Sequence, residues 1–175
     1  MLLVSEEILK RPILDESTKE EIGGCEQVLL DFDTGKVKAL LIKKRAFFEY
    51  YFVTPMHISA CHTGGTEVDT AEIWSLTSDE KLKKQVDSYQ FLIGALVKSE
   101  SGAPLGMVDE FSVHLTYWDL RKIFVGPKMG LNIMVKQFIV DHKQIVSLSP
   151  EEVIVKDSSL PVEEKGKLPE AAPSA

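Results

Sequence analysis

Residues 8–42 and 91–125 carry one apolar pattern twice, at a constant offset of 83 and without a gap. Ile22-Gly23 falls on Leu105-Gly106, Val28/Leu30/Phe32 on Phe111/Val113/Leu115, and Leu40-Leu41-Ile42 on Ile123-Phe124-Val125. Thirteen of the fifteen apolar residues in the first stretch meet an apolar residue in the second, where chance would superpose about eight. Only Leu9/Leu92 and Gly23/Gly106 are identical, so the pattern and not the residue identity carries the match. Further on, Val53-Thr54-Pro55-Met56-His57-Ile58 parallels Val140-Asp141-His142-Lys143-Gln144-Ile145 at an offset of 87, which implies a longer loop in the second copy. The period is too long for a solenoid repeat and long enough for a small domain. The pattern predicts a tandem duplication.

Within each copy the periodicity is that of strands. Val28, Leu30 and Phe32 alternate with polar or outward residues, and Phe111, Val113 and Leu115 keep the same phase. A one-residue slip would invert every side chain, so the agreement in phase argues for strand in both places. Asp33-Thr34-Gly35-Lys36 is a turn sequence: Asp starts it and Gly accepts the positive φ that rejoins the next strand. Val37–Lys43 reads as the return strand, and Phe47–Val53 as another, rich in aromatic residues. Between the copies, Thr77 with Glu80 forms a capping-box pattern, and Leu82, Val86 and Tyr89 recur at helical spacing, which predicts a short linker helix. The expected divisions are a first unit over 1–76, the linker helix over 77–88, a second unit over 89–156, and a disordered tail over 157–175 too poor in apolar residues to repay ordering.

At 44% hydrophobic and 27% charged the chain has ordinary globular composition, and its net charge of −7 argues against nucleic acid as a main partner. The short basic clusters, Lys43-Lys44-Arg45 and Lys81/Lys83/Lys84, read as solvated faces. Cys25 and Cys61 make neither a disulfide framework nor a close-spaced metal motif. No stretch of about 18 apolar residues spans a membrane, and Met1–Glu7 lacks the basic flank and apolar run of a signal peptide. The expected location is the cytoplasm, peripheral to a membrane complex if the partner is one.

The order of these features resembles the PRC-barrel family, named for the globular part of the photosynthetic reaction centre H subunit and found also in a ribosome maturation factor. Copy one carries the resemblance through Asp15, Ile22-Gly23, Val28-Leu29-Leu30-Asp31, Thr34-Gly35-Lys36-Val37, Tyr51-Phe52-Val53, Pro55 and Ile58. Copy two departs from it, with His114 and Tyr117-Trp118-Asp119 where the family pattern has its Asp and Thr-Gly turn. The resemblance implies a mainly β protein with a small six-stranded barrel in each half. It implies contact roles and no chemistry.

The candidate binding residues are aromatic. Phe48, Tyr50 and Phe52 fall on one side of a strand that also holds Phe47 and Tyr51, so rings must point away from their own core. They form either the seam between the copies or a partner surface. Tyr117 and Trp118 pose the same choice, with Trp118 in the slot of the turn glycine of copy one. His57, Cys61, His62 and Asp69 include zinc- and copper-ligand types, but copy two lacks counterparts, so folding requires no metal there. No nucleophile elbow or phosphate loop exists, and Cys25 has Glu26 beside it instead of a cation. The reading is a non-catalytic adaptor, without cofactor, that binds a protein partner and leaves a homodimer open. The alternatives are a small-ligand or metal sensor built on the His57–Asp69 loop, and an accessory factor in ribosome or RNA processing.

Overall fold

The computed structural model describes residues 1–45, 48–127 and 137–159, and the tail beyond residue 159, like Phe47, lies outside that range. The protein is mainly β. In chain order the elements are β1 (Leu2–Val4), helix α1 (Ser5–Lys10), β2 (Pro12–Asp15), β3 (Glu21–Leu30), β4 (Val37–Lys44), β5 (Tyr50–Val53), β6 (Ile58–His62), β7 (Gly65–Val68) and β8 (Trp74–Ser75). There follow helix α2 (Glu80–Asp87), β9 (Leu96–Ser99), β10 (Pro104–His114), β11 (Asp119–Gly126), β12 (Phe138–Asp141), β13 (Ile145–Leu148) and β14 (Glu152–Val155).

Two sheets repeat one topology. The first runs β6-β7-β2-β3-β4-β5-β8, and the second β13-β14-β9-β10-β11-β12. All pairings are antiparallel except β2 with β7 and β9 with β14, which occupy equivalent places. The irregularities repeat as well. Where β3 meets β4 the register slips at Cys25/Gln27 and at Leu29/Leu30, and where β10 meets β11 it slips at Val108/Glu110 and Ser112/Val113. These are the same positions at the offset of 83. Bulges re-aim strands and are built features of a fold, so their coincidence supports duplication more strongly than apolar pattern alone.

The pairing gives two open sheets where the sequence predicts two closed six-stranded barrels. Among the described residues, no hydrogen-bonded pairing joins β5 to β6 or β12 to β13. Still, the chain passes from β5, next to one end of the first sheet, to β6 at the other end through only Thr54–His57, a 3-10 turn preceded by one residue. That path spans at most about 18 Å, so the sheet bends back on itself even though its seam is unpaired. The free edge of β5 is taken instead by β8.

The halves are not independent. β1 lies at the start of the chain yet pairs with β10 of the second half, Leu3 opposite Val113. The Ser5 hydroxyl accepts a hydrogen bond from the Phe111 amide at 3.2 Å. The tips of the β3–β4 and β10–β11 hairpins meet: the Val37 amide donates to the Trp118 carbonyl at 2.7 Å, and the Leu120 amide to the Gly35 carbonyl at 2.8 Å. These two bonds interchange under the repeat offset, as contacts do across a two-fold axis. A single apolar core runs through both halves, with Leu30, Leu40 and Val53 in the same cluster as Val113, Ile123 and Val140.

Copy two keeps the hairpin geometry that its sequence departs from. In copy one the Asp31 carboxylate accepts from the amides of Asp33 and Thr34, at 2.9 and 3.3 Å. In copy two the His114 Nδ1 accepts from the Thr116 amide at 3.2 Å. Gly35 has φ 69° and Trp118, at the equivalent position, φ 49°. An imidazole nitrogen thus replaces the carboxylate oxygen, and an aromatic residue takes the left-handed conformation, anchored by packing of its ring on the core.

Helix α2 covers the outer face of the first sheet. It is shorter than the sequence predicts, and its cap is Asp79, whose carboxylate accepts from the amides of Lys81 and Leu82 at 3.0 and 2.9 Å; the Thr77 hydroxyl pairs with Ser75 instead. Leu76, Leu82, Val86 and Phe91 pack on Leu29, Ala39, Leu41 and Phe52. The buried Gln85 amide fixes the helix by donating to the Leu30 and Gln90 carbonyls, at 3.1 and 3.2 Å. In the second sheet Ser112 and Lys122 stand at the positions of Leu29 and Ala39, so that face has less apolar surface for a helix to cover.

The turn between β2 and β3 has a pH signature. The Asp15 carboxylate accepts from the Thr70 hydroxyl at 2.6 Å and from the Ser17 and Thr18 amides at 2.8 and 2.7 Å. These bonds, the Thr70 hydroxyl foremost, lower its pKa from 3.8 to about 2. A depressed pKa means that the ionised form stabilises the fold. The contribution is complete above pH 3.8 and is lost as pH falls through about 2. Asp15→Asn should therefore lower the thermal midpoint at neutral pH, and calorimetry should find the gap to wild type closing across that acid range. A gap independent of pH would refute the carboxylate's role.

Candidate partner-binding surface

Five aromatic side chains single themselves out by sequence, and the structure separates them. Along the β5 segment the outward rings form a gradient of exposure: Phe48 99%, Tyr50 37% and Phe52 7%. The cause is α2, which shields the inner end of the strand and leaves the outer end in water. Phe52 is therefore a core residue of the α2 contact and not a partner-binding one. Trp118 is likewise half-buried on the shared core, with its neighbour Tyr117 64% exposed. The Tyr117 ring stacks at 4.9 Å on His114 and lies 5.7 Å from the Arg121 guanidinium carbon. The hydrogen bonds that join the halves come from β1, Ser5 and the hairpin tips, and of the aromatic strand Tyr51 and Val53 face the shared core.

A groove of about 550 Å³ opens beside Tyr50, between the outer face of β3–β4–β5 and the segment that leaves α2. Its floor is Leu41, Leu76 and Val86, and its rim carries Tyr50, Tyr89 and Phe91. The wall also holds the carboxylates of Glu26 and Asp87; Lys83 pairs with Asp87 from outside it, and Glu26 also borders a neighbouring cleft with Lys43, Lys44 and Arg45. Volumes of this order suit a ligand or a side chain. Tyr89 is 82% exposed and has φ 51°, a conformation that residues other than glycine rarely adopt. Its amide donates to the Val86 carbonyl at 3.0 Å, and its carbonyl accepts from Phe91 at 2.9 Å. The Tyr89 and Phe91 rings meet edge to face at 6.3 Å. The sequence places Tyr89 on the buried stripe of the helix; the helix ends before it, and the left-handed turn throws the ring outward.

Two further clefts flank the junction of the halves. One, of about 220 Å³, lies between the Asp33–Gly35 tip and His142, Ile145 and Leu148. The other, of about 520 Å³, lies between the Leu115–Trp118 tip and Pro55, Met56 and Ile58. They are equivalent under the repeat, each pairing the hairpin tip of one half with the 3-10 turn and following strand of the other.

The histidine–cysteine loop is dispersed. The His62 Nε2 lies 3.1 Å from the Glu67 carboxylate, and the His57 Nε2 3.8 Å from that of Glu72. The Cys61 thiol faces the Thr66 hydroxyl at 3.7 Å, and the Asp69 carboxylate caps the Ala71 amide at 3.0 Å. Cys61 and His62 are strand neighbours and point to opposite faces. Among the described residues no group of three His, Cys, Asp or Glu side chains is placed to hold one ion. Burial pushes the Cys25 thiol up to about 12, which makes it a poor nucleophile at neutral pH. No helix among the described residues is long and apolar enough to cross a membrane. In comparison with known proteins, the chain matches no family model and no curated protein.

Proposed function

We propose that this chain is a non-catalytic contact module, two PRC-barrel-like halves fused through one core, which docks on a protein partner at the groove rimmed by Tyr50, Tyr89 and Phe91. The observation that carries the reading is Tyr89. A tyrosine held at positive φ with its ring in solvent costs on the order of 1 kcal/mol, and glycine would end the helix without that cost. Backbone strain of this kind clusters at binding sites, and exposed Tyr and Phe are the side chains that interface cores favour. Phe48 extends the same surface beyond the groove, and Tyr117 offers a separate contact at the junction. A membrane-associated complex is the partner class that the family resemblance suggests.

The test is site-specific photo-crosslinking in the cell that makes the protein. A benzophenone side chain at position 89 or 48 should give one discrete adduct, identified by mass spectrometry, which the same group at Glu16, on the turn between β2 and β3, does not give. Equal yields from all three positions, or no adduct from any, would remove the docking reading.

A further inference from the structure

The groove at Tyr89 has a definite chemical preference, which rests on the docking reading and sharpens it. Three aromatic rings, Tyr50, Tyr89 and Phe91, share a wall with two carboxylates, Glu26 and Asp87. Ring faces carry negative electrostatic potential and attract cations; carboxylates do so directly. Lys83 pairs with Asp87 from the exposed flank of α2, whereas Glu26 is exposed and makes no ion pair among the described residues. The molecule uses the same chemistry on its own account one residue along the strand, where the Lys44 ammonium sits 4.0 Å over the Tyr51 ring. The floor of Leu41, Leu76 and Val86 supplies apolar contact for the methylene stem that an arginine or lysine brings with its charge.

From this arrangement we infer that the groove receives an arginine or lysine side chain presented by the partner protein. The stem lies along Leu41 and Val86, the charged head sits between the Tyr89 and Tyr50 rings, and Glu26 neutralises it. An acidic segment would meet the carboxylates of Glu26 and Asp87, and an apolar one would leave Glu26 without a counter-charge. The net charge of −7 on the whole chain favours approach of a basic segment over longer range.

The experiment titrates the isotopically labelled full chain with three blocked tripeptides, Gly-Arg-Gly, Gly-Lys-Gly and Gly-Glu-Gly, followed by amide chemical shifts. The arginine and lysine peptides should give saturable shifts confined to Gln27, Leu41, Val86, Tyr89 and Phe91, with half-saturation on the order of 1 mM, and the glutamate peptide none. Tyr89→Gly, which keeps the positive φ without strain, and Glu26→Gln should each weaken the response roughly three- to tenfold, with the thermal midpoint of Tyr89→Gly not reduced. No saturation at concentrations on the order of 20 mM, an equal response to the glutamate peptide, or shifts indifferent to both substitutions would overturn the inference. The outcomes separate from those of crosslinking. An adduct at position 89 without a response to basic peptides sinks only the cation preference, and a response without an adduct sinks only the protein partner.

Discussion

Replacing Gly106 by alanine should lower the thermal midpoint by roughly 10 °C, an effect of about 3 kcal/mol in a chain of this size. Gly106 has φ 144°, and a Cβ there would stand inside van der Waals contact of the Gly126 carbonyl oxygen at the end of β11. Gly23 has the same neighbour in the first half, the Lys43 carbonyl oxygen at the end of β4. In both cases the obstacle is backbone within a paired strand, which cannot swing aside as a side chain tip would. This explains why a glycine is one of only two identities in the long aligned stretch: the strand crosses its partner too closely for any side chain. The adjacent Gly24 provides the control, because nothing lies within 4 Å of a Cβ built there. Gly24→Ala should leave the midpoint unchanged or raise it slightly, since alanine loses less chain entropy on folding. Thermal denaturation of Gly23→Ala, Gly24→Ala and Gly106→Ala separates the two explanations. If all three behave alike, close approach is not what fixes the glycines.

The repeat was legible because strand periodicity is a local signal, and the two copies kept both its phase and the positions of their turns. Long-range pairing leaves no such trace. Nothing in Leu2-Leu3-Val4 indicates that it pairs with β10 instead of β2 or β3, so the first unit as read from the sequence includes a strand whose partner lies in the second half. Closure was misjudged for a related reason. Six short strands separated by turns suit a barrel, but the pattern does not say whether the last strand bonds to the first; in the first sheet β8 takes the edge of β5, and in the second β12 ends the sheet. The cap of α2 failed more simply. Ser78-Asp79-Glu80 follows Thr77, two cap signals overlap, and the carboxylate of Asp79 prevails.

The candidate surface was half legible. Alternation put Phe48, Tyr50 and Phe52 on one side and Phe47 and Tyr51 on the other, without saying which side faces away from the strand's own core. It could not say how far along that side α2 would reach, and this alone decides that Phe52 is buried while Phe48 is bare. Tyr89 was hidden because helical spacing continues through it, whereas its φ of 51° takes it off the helix. Trp118 matched the glycine slot as read, but the slot is at the meeting point of the halves and not at a free tip. Glu26 and Asp87 come to line one groove only when α2 folds down over the sheet.

That meeting point leads to the other large expected effect. Leu40 and Ile123 are equivalent under the repeat, both fully buried, and both in the one apolar cluster that spans the halves. Truncating either to alanine should cost about 2–5 kcal/mol. The informative quantity is where the loss is felt. The chain has two tryptophans, Trp74 in the first half and Trp118 on the hairpin tip of the second half where it meets the first, so Trp118→Phe leaves a fluorescence signal from the first half's own edge and Trp74→Phe leaves one from the second half at the seam. A shared core, the strand that crosses from β1 to β10 and the reciprocal hairpin bonds make unfolding of one half expose apolar surface of the other. Leu40→Ala should therefore shift the denaturant midpoint seen by Trp118 as much as that seen by Trp74, and Ile123→Ala should do the same. Two separate transitions, with each substitution moving only the tryptophan of its own half, would mean that the sheets are autonomous and merely touch. Coincident transitions would instead identify the duplicated pair, with its two-fold seam, as the smallest unit that folds.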